Sequence, residues 1–168
     1  MKAIMNRRSI RKYTSQDVSD EQVKVLLKAA MCAPSAGNEQ PWQFVVIRDR
    51  QLLDQVPQHH PYSGMIRQAP LAILICADMK LKKYSDTDYW IQDCAAATEN
   101  LLIAVQELGL GAVWLGVYPR QERIVGLRQL FGIPDEVIPF ALVPVGYPAE
   151  HKEPESRYRA DRVHFNKW

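Results

Sequence analysis

Arg7-Arg8-Ser9-Ile10-Arg11 and Pro34-Ser35-Ala36-Gly37-Asn38-Glu39-Gln40-Pro41-Trp42 are the two stretches on which the reading of this chain turns. The first sets three guanidinium groups and a hydroxyl within five residues, a forked donor set suited to a phosphate or a polyol chain. The second is a backbone-rich loop with amide side chains, able to meet the edge of a flat heteroaromatic ring. Taken singly, the first also reads as a solvated basic start, and the second as a helix stop followed by a turn and a core tryptophan. Taken together they match the two ends of a phosphorylated, ring-bearing cofactor and point to a bound flavin.

The rest of the composition bounds this reading. With 168 residues, 47% of them hydrophobic and 24% charged, the chain has the size and balance of one folded domain that needs no disulfide or metal staple. Cys32, Cys76 and Cys94 lie far apart in apolar stretches with no histidine nearby, and are expected as buried thiols. Their odd number, with no signal-type start and no apolar run of membrane-spanning length, makes a cytoplasmic chain the expectation. Net charge is only +2, yet Lys2, Arg7, Arg8, Arg11 and Lys12 crowd the first twelve residues without an acid. A small anionic ligand, a nucleic-acid arm and a solvated surface all fit that asymmetry.

Periodicity gives the organisation. Ser19 and Gln22 have the capping-box form, and Val23, Leu26, Leu27, Ala30 and Met31 follow at helical spacing, predicting a helix from about Asp20 to Ala33. Pro34 stops it, and Gln43 to Ile47 reads as a strand. A short helix is expected over Arg50 to Gln55 and a buried strand over Leu71 to Cys76. From Asp88 to Leu108 the apolar positions hold helical spacing for about five turns, with Gly109 as the cap. Gly111 to Tyr118 reads as a strand, Pro119 to Phe131 as a helix closed by Gly132, and Ile138 to Val145 as a last strand. Beyond Gly146-Tyr147-Pro148 the chain is charged and proline-rich, an arm over 149–168 with Phe165 and Trp168 as anchors for another surface.

His59, His60, His151 and His164 form no recognisable set and are expected at the surface, while Asp86, Asp88 and Asp93 gather near a helix start and read as structural. Neither a Gly-x-Ser-x-Gly elbow nor a phosphate-binding P-loop is present, and Gly109-Leu110-Gly111 follows a helix where a dinucleotide fingerprint would open one.

The ordered motifs Arg7 to Tyr13, Pro34-Ser35 with Asn38 and Gln40-Pro41-Trp42, Trp114-Leu115-Gly116 and Gly146-Tyr147-Pro148 resemble those of the nitroreductase family of FMN-dependent NAD(P)H oxidoreductases. The resemblance implies an α+β fold in one domain over 1–168, its mainly antiparallel central sheet flanked by helices, in an intertwined homodimer with FMN at the interface. It implies that Arg7, Arg8, Ser9 and Arg11 hold the phosphate and ribityl chain, with Arg7 or Arg11 strongest. Pro34, Ser35, Ala36 and Asn38 would border the ring from the other subunit. Leu115 and Gly116 would cover one ring face and offer backbone N–H groups, and Arg157 would be the late phosphate contact, with Arg159 as its competitor. NADH or NADPH would then bind transiently over the flavin, in a ping-pong cycle with nitroaromatic or quinone acceptors. No side chain need be catalytic and no metal is implied; the stretch His59 to Gln68 offers no matched contact. Dehalogenation, ring oxidation or flavin fragmentation on the same fold is the alternative, and a small basic nucleic-acid-binding protein is the alternative from another class.

Overall fold

In the computed structural model, which describes residues 1–168, Leu71 to Asp78 form the middle of the fold. Seven of these eight residues are fully buried. The reason is that both sheet faces are covered, so successive side chains point into two different cores. Leu71, Ile73, Ile75 and Ala77 join one apolar cluster, while Ala72, Leu74 and Cys76 join the other.

The strands are β1 (Trp42–Ile47), β2 (Leu71–Asp78), β3 (Gly111–Ala112), β4 (Leu115–Gly116) and β5 (Val137–Gly146). They form one sheet in the order β1-β2-β5-β3, with β4 also on β5, and every strand pair is antiparallel. The helices are α1 (Lys2–Asn6), α2 (Asp20–Met31), α3 (Arg50–His59), α4 (Tyr89–Glu107) and α5 (Gln121–Phe131). Helices α2 and α4 pack on one face through Leu26, Ala30, Trp90, Ala97 and Leu101, and α3 and α5 on the other through Leu53, Val56, Ile124 and Leu127. This is the α+β architecture implied by the sequence motifs. No helix is long and apolar enough to cross a membrane.

The capping box at the start of α2 is complete: the Gln22 N–H donates to Ser19 Oγ and the Ser19 N–H to Gln22 Oε1. Ser19→Ala removes one of these bonds and is expected to cost about 1 kcal/mol in urea or thermal unfolding.

Three local expectations need correction. Helix α3 runs to His59, past Pro57, because a proline in the last turn forfeits only the bond to the Leu53 carbonyl. The strand expected over Gly111 to Tyr118 is broken into β3 and β4. Both keep one register on β5, Ala112 opposite Val145 and Leu115 opposite Leu142, which sets Val113 opposite Pro144. Pro144 has no N–H to give, so the ladder lapses there and resumes two residues on. Cys32 is exposed at the end of α2, whereas Cys76 and Cys94 are buried as expected.

An early segment around residues 9–14 and a late one after β5 lie together at the β3 edge of the sheet. Ser9 bridges Ala112 in parallel fashion, and the Ile10 N–H donates to the Ala112 carbonyl at 2.9 Å. This close approach requires Gly111, where a Cβ would sit 2.7 Å from Ile10 Cγ2. Thr14 N–H then bonds Tyr147 O, and Ala149 N–H bonds Lys12 O, so the segment after β5 runs beside the first residues. From there to Trp168 the chain is mostly exposed, with only a short turn of helix at Ala160–Arg162.

Candidate functional site

The pairing of these two segments brings cations from both into one place. An open cavity of about 510 Å³ is lined by Arg8, Ser9, Arg11, Lys152, Glu153, Glu155 and Arg157, with no hydrophobic residue among them. A neighbouring cavity of about 360 Å³ shares Arg8, Glu155 and Arg157 and adds Arg7 and Tyr158. Arg8 is the pivot: its Nε donates to Glu153 O at 3.0 Å and its Nη1 to Arg7 O at 2.6 Å. Its Nη2 is buried with no partner, a donor left over in a wall made chiefly of donors. Lys152 Nζ donates to Ser9 O at 2.6 Å and fixes the arm to the basic segment. Arg7 lies with its Nε 3.3 Å from Glu99 Oε1 on α4. Arg157 lines both cavities, and Arg159 lines neither.

The Arg11 backbone N–H holds the Glu150 carboxylate, which Lys152 Nζ also approaches at 3.4 Å. That N–H bond, ahead of the lysine, keeps the Glu150 carboxyl below the usual carboxylate range. The position therefore already favours an anion.

The loop with Pro34, Ser35, Ala36 and Asn38 lies elsewhere, between α2 and β1, and lines neither cavity. It is built tightly: Gly37 and Asn38 have positive φ, and Gln40 N–H donates to Ser35 Oγ. Beneath it, Ala36 N–H donates to Asp93 Oδ1 at 2.9 Å, and Lys83 N–H to Glu39 Oε2 at 2.8 Å. Asp93 and Glu39 are 4% and 6% exposed, and their remaining oxygens, Oδ2 and Oε1, have no donor from other groups. Burial, reinforced by the facing Glu39 carboxyl and opposed by the Ala36 N–H, pushes Asp93 up to about 6. Asp93 is thus a buried acid under the loop, unlike Asp88, which meets Trp90 Nε1 at the helix start, and Asp86, which is exposed.

Leu115 and Gly116 sit on the outer edge of β5. Leu115 is buried, Gly116 is half-buried, and a Cβ at Gly116 would meet nothing within 4 Å. The Gly116 carbonyl accepts from Arg123 Nη1 at 2.7 Å and lies 3.0 Å from His60 Nε2. His60 is buried, contrary to the expectation of four surface histidines. Burial lowers its pKa, and Arg123 lowers it further, which favours the neutral ring; the tautomer with its proton on Nε2 is the one that can donate to the Gly116 carbonyl.

Sequence reading gave no functional role to Lys152, His60, Arg123 or the Glu39–Asp93 pair. A signal existed for two of them. His60 extends the buried Leu53, Val56 stripe of α3, and Asp93 falls within the buried Trp90, Cys94, Ala97 stripe of α4. A polar residue on an apolar stripe marks a site to be explained. No group of three or more His, Cys, Asp or Glu is arranged to hold a metal ion.

The sequence and its fold have close counterparts. The nitroreductase family profile matches residues 4–60 and 53–147. A protein of Archaeoglobus fulgidus named "Putative NADH dehydrogenase/NAD(P)H nitroreductase" is 51% identical over 171 residues, spanning 100% of this chain and 98% of its own. An FMN-dependent nitroreductase of Clostridium difficile superposes with a TM-score of 0.91 at 30% identity, covering 100% of both chains. A structure described as a "putative nitroreductase in complex with FMN", from Desulfovibrio desulfuricans, superposes with a TM-score of 0.84 at 34% identity, covering 99% of this chain and 96% of that one. The chain belongs to the nitroreductase family.

Proposed function

We propose that this chain is an FMN-dependent oxidoreductase that uses NADH or NADPH. The observation that carries the reading is the outer edge of β3 and β4. Ser9 pairs at Ala112 and Gly116 lies four residues further along, about 13 Å at ~3.3 Å per residue. A cationic wall thus stands at one end of a short edge and an uncrowded backbone at the other, which fits a phosphate joined by a polyol chain to a flat ring. The orphan Nη2 of Arg8 and the empty space at Gly116 agree with that fit.

FMN, when bound, supplies the redox chemistry: hydride from NADH or NADPH, then ping-pong delivery to an acceptor such as a nitroaromatic or a quinone. Arg7, Arg8, Arg11 and Arg157 grip the phosphate with forked donors, helped by Lys152, and Ser9 meets the ribityl chain. Leu115 covers the ring, and the Gly116 N–H faces the edge where negative charge develops on reduction, the Leu115 N–H being turned toward β5. Pro34, Ser35, Ala36 and Asn38 border the ring from a second copy of the chain, in keeping with their separation from the basic cavities. A homodimer also accounts for Tyr158, Phe165 and Trp168, exposed by 75%, 85% and 101%, as anchors of the 149–168 arm on its partner. Residues 1–168 then form one cofactor-binding domain with a cytoplasmic role.

Adding FMN to the flavin-free protein should quench flavin fluorescence and raise the thermal midpoint by about 5–10 °C at a hundredfold excess over Kd. Flavin that stays fully fluorescent and leaves the midpoint unmoved defeats the reading. Sedimentation of the holoprotein tests the shared site, which a monomer with equally tight FMN would remove.

A further inference from the structure

Building on the flavin reading above, we infer that Arg123 and His60 are positioning residues: together they clamp the Gly116 carbonyl so that the Gly116 N–H points outward from the sheet edge, with the Arg123 charge beside it. Val117 N–H donates to Phe140 O at 3.1 Å, toward β5. Along an antiparallel strand such groups alternate sides, so both the N–H and the C=O of Gly116 turn to the opposite edge. The carbonyl meets Arg123 Nη1 and His60 Nε2 there, and no turn, loop or cap hydrogen bond uses the N–H. The two groups of one extended residue point the same way, so fixing the carbonyl fixes the direction of the N–H.

A clamp is needed because glycine is the residue least able to hold its own dihedral angles. It is also needed because β4 is only two residues long, isolated from β3 by the lapse at Pro144. The clamping groups are themselves held. The His60 carbonyl accepts from Ser63 N–H and Ser63 Oγ, and the Arg123 guanidinium lies over the Tyr62 ring, 5.6 Å from its centroid. Arg123 comes from the first turn of α5 and His60 from the end of α3, so the layer on the far side of the sheet reaches round to orient this backbone. The stretch His59 to Gln68, which offers no recognisable flavin contact in the sequence, acts here at one remove.

The test uses Arg123→Gln, Arg123→Lys and His60→Phe, with two readouts. In the flavin-free protein, the amide resonance of Gly116 should move in Arg123→Gln and His60→Phe, and move least in Arg123→Lys. In the holoprotein, Arg123→Gln should bind oxidised FMN within about threefold of wild type. Its two-electron reduction equilibrium should be at least tenfold less favourable, a fall of about 30 mV, and Arg123→Lys should recover most of it. If Arg123→Gln does not fold, His60→Phe carries the amide measurement, and an unmoved Gly116 amide in it overturns the inference. An unmoved Gly116 amide, or a reduction equilibrium within twofold of wild type in FMN-loaded Arg123→Gln, overturns the inference. Wild-type protein that takes up no FMN defeats the flavin reading instead, and the amide measurement still decides whether the clamp exists.

Discussion

Replacing Arg7 and Arg11 together by alanine should weaken FMN binding by about two to four orders of magnitude and leave the fold intact. Arg11 opens onto the cavity with Arg8, Ser9 and Arg157, and Arg7 onto the adjoining one that shares Arg8 and Arg157, so the double change takes one guanidinium from each. Charge-assisted hydrogen bonds to phosphate contribute about 1.5–3 kcal/mol each, which sums to about 3–6 kcal/mol for two. The fold should barely respond. Arg11 is exposed, and Arg7 forfeits an ion pair with the half-exposed Glu99, the kind of pair that contributes about 0–1 kcal/mol. Isothermal titration of FMN beside a urea melt separates the two effects. Lysine at both positions should recover part of the affinity, since charge returns without the fork. Full FMN affinity in the alanine double variant would remove these residues from the phosphate site.

Asp93→Asn should stabilise the protein above neutral pH and flatten its stability against pH in the acid range. In the fold Asp93 holds its proton up to about pH 6, against an ordinary value of 3.8. A carboxyl raised on folding contributes stability that is complete below about pH 4 and lost as the pH climbs through 6. Two units correspond to about 3 kcal/mol. One proton between Asp93 Oδ2 and Glu39 Oε1 satisfies both lone oxygens, and the asparagine amide can occupy the same place without titrating. Its oxygen still accepts from Ala36 N–H. Chemical denaturation from pH 4 to pH 8 should therefore show a falling wild-type stability and a flatter variant that leads by about 2–3 kcal/mol at the top. A variant less stable than wild type at pH 8 contradicts a shared proton.

Much of this was readable from residue order. Helices α2, α4 and α5 and strands β1, β2 and β5 follow from periodicity, capping and turn residues, because each makes its hydrophobic pattern within its own length. The family motifs carried the topology, which no local pattern contains. What escaped was set by partners distant in sequence. The break in the strand after Ala112 is caused by Pro144, more than thirty residues on, and is visible only once register is known. Burial of His60 depends on where α5 sets Arg123, and burial of Asp93 on a loop more than fifty residues earlier. Lys152 sits in an arm whose composition looks featureless until Ser9 O is found at its end.

The meeting of the early and late segments at Ala112 has a temporal meaning as well as a spatial one. Arg7, Arg8, Ser9 and Arg11 are synthesised about 140 residues ahead of Lys152 and Arg157, so the basic cavity cannot form until the later segment has emerged. The two apolar layers draw their buried residues from 18–145 and can condense before that moment. A nick between Ala149 and Arg157 would sever the cavity's late half while sparing both layers. Such a cut would yield a well-folded protein unable to close its basic cavity.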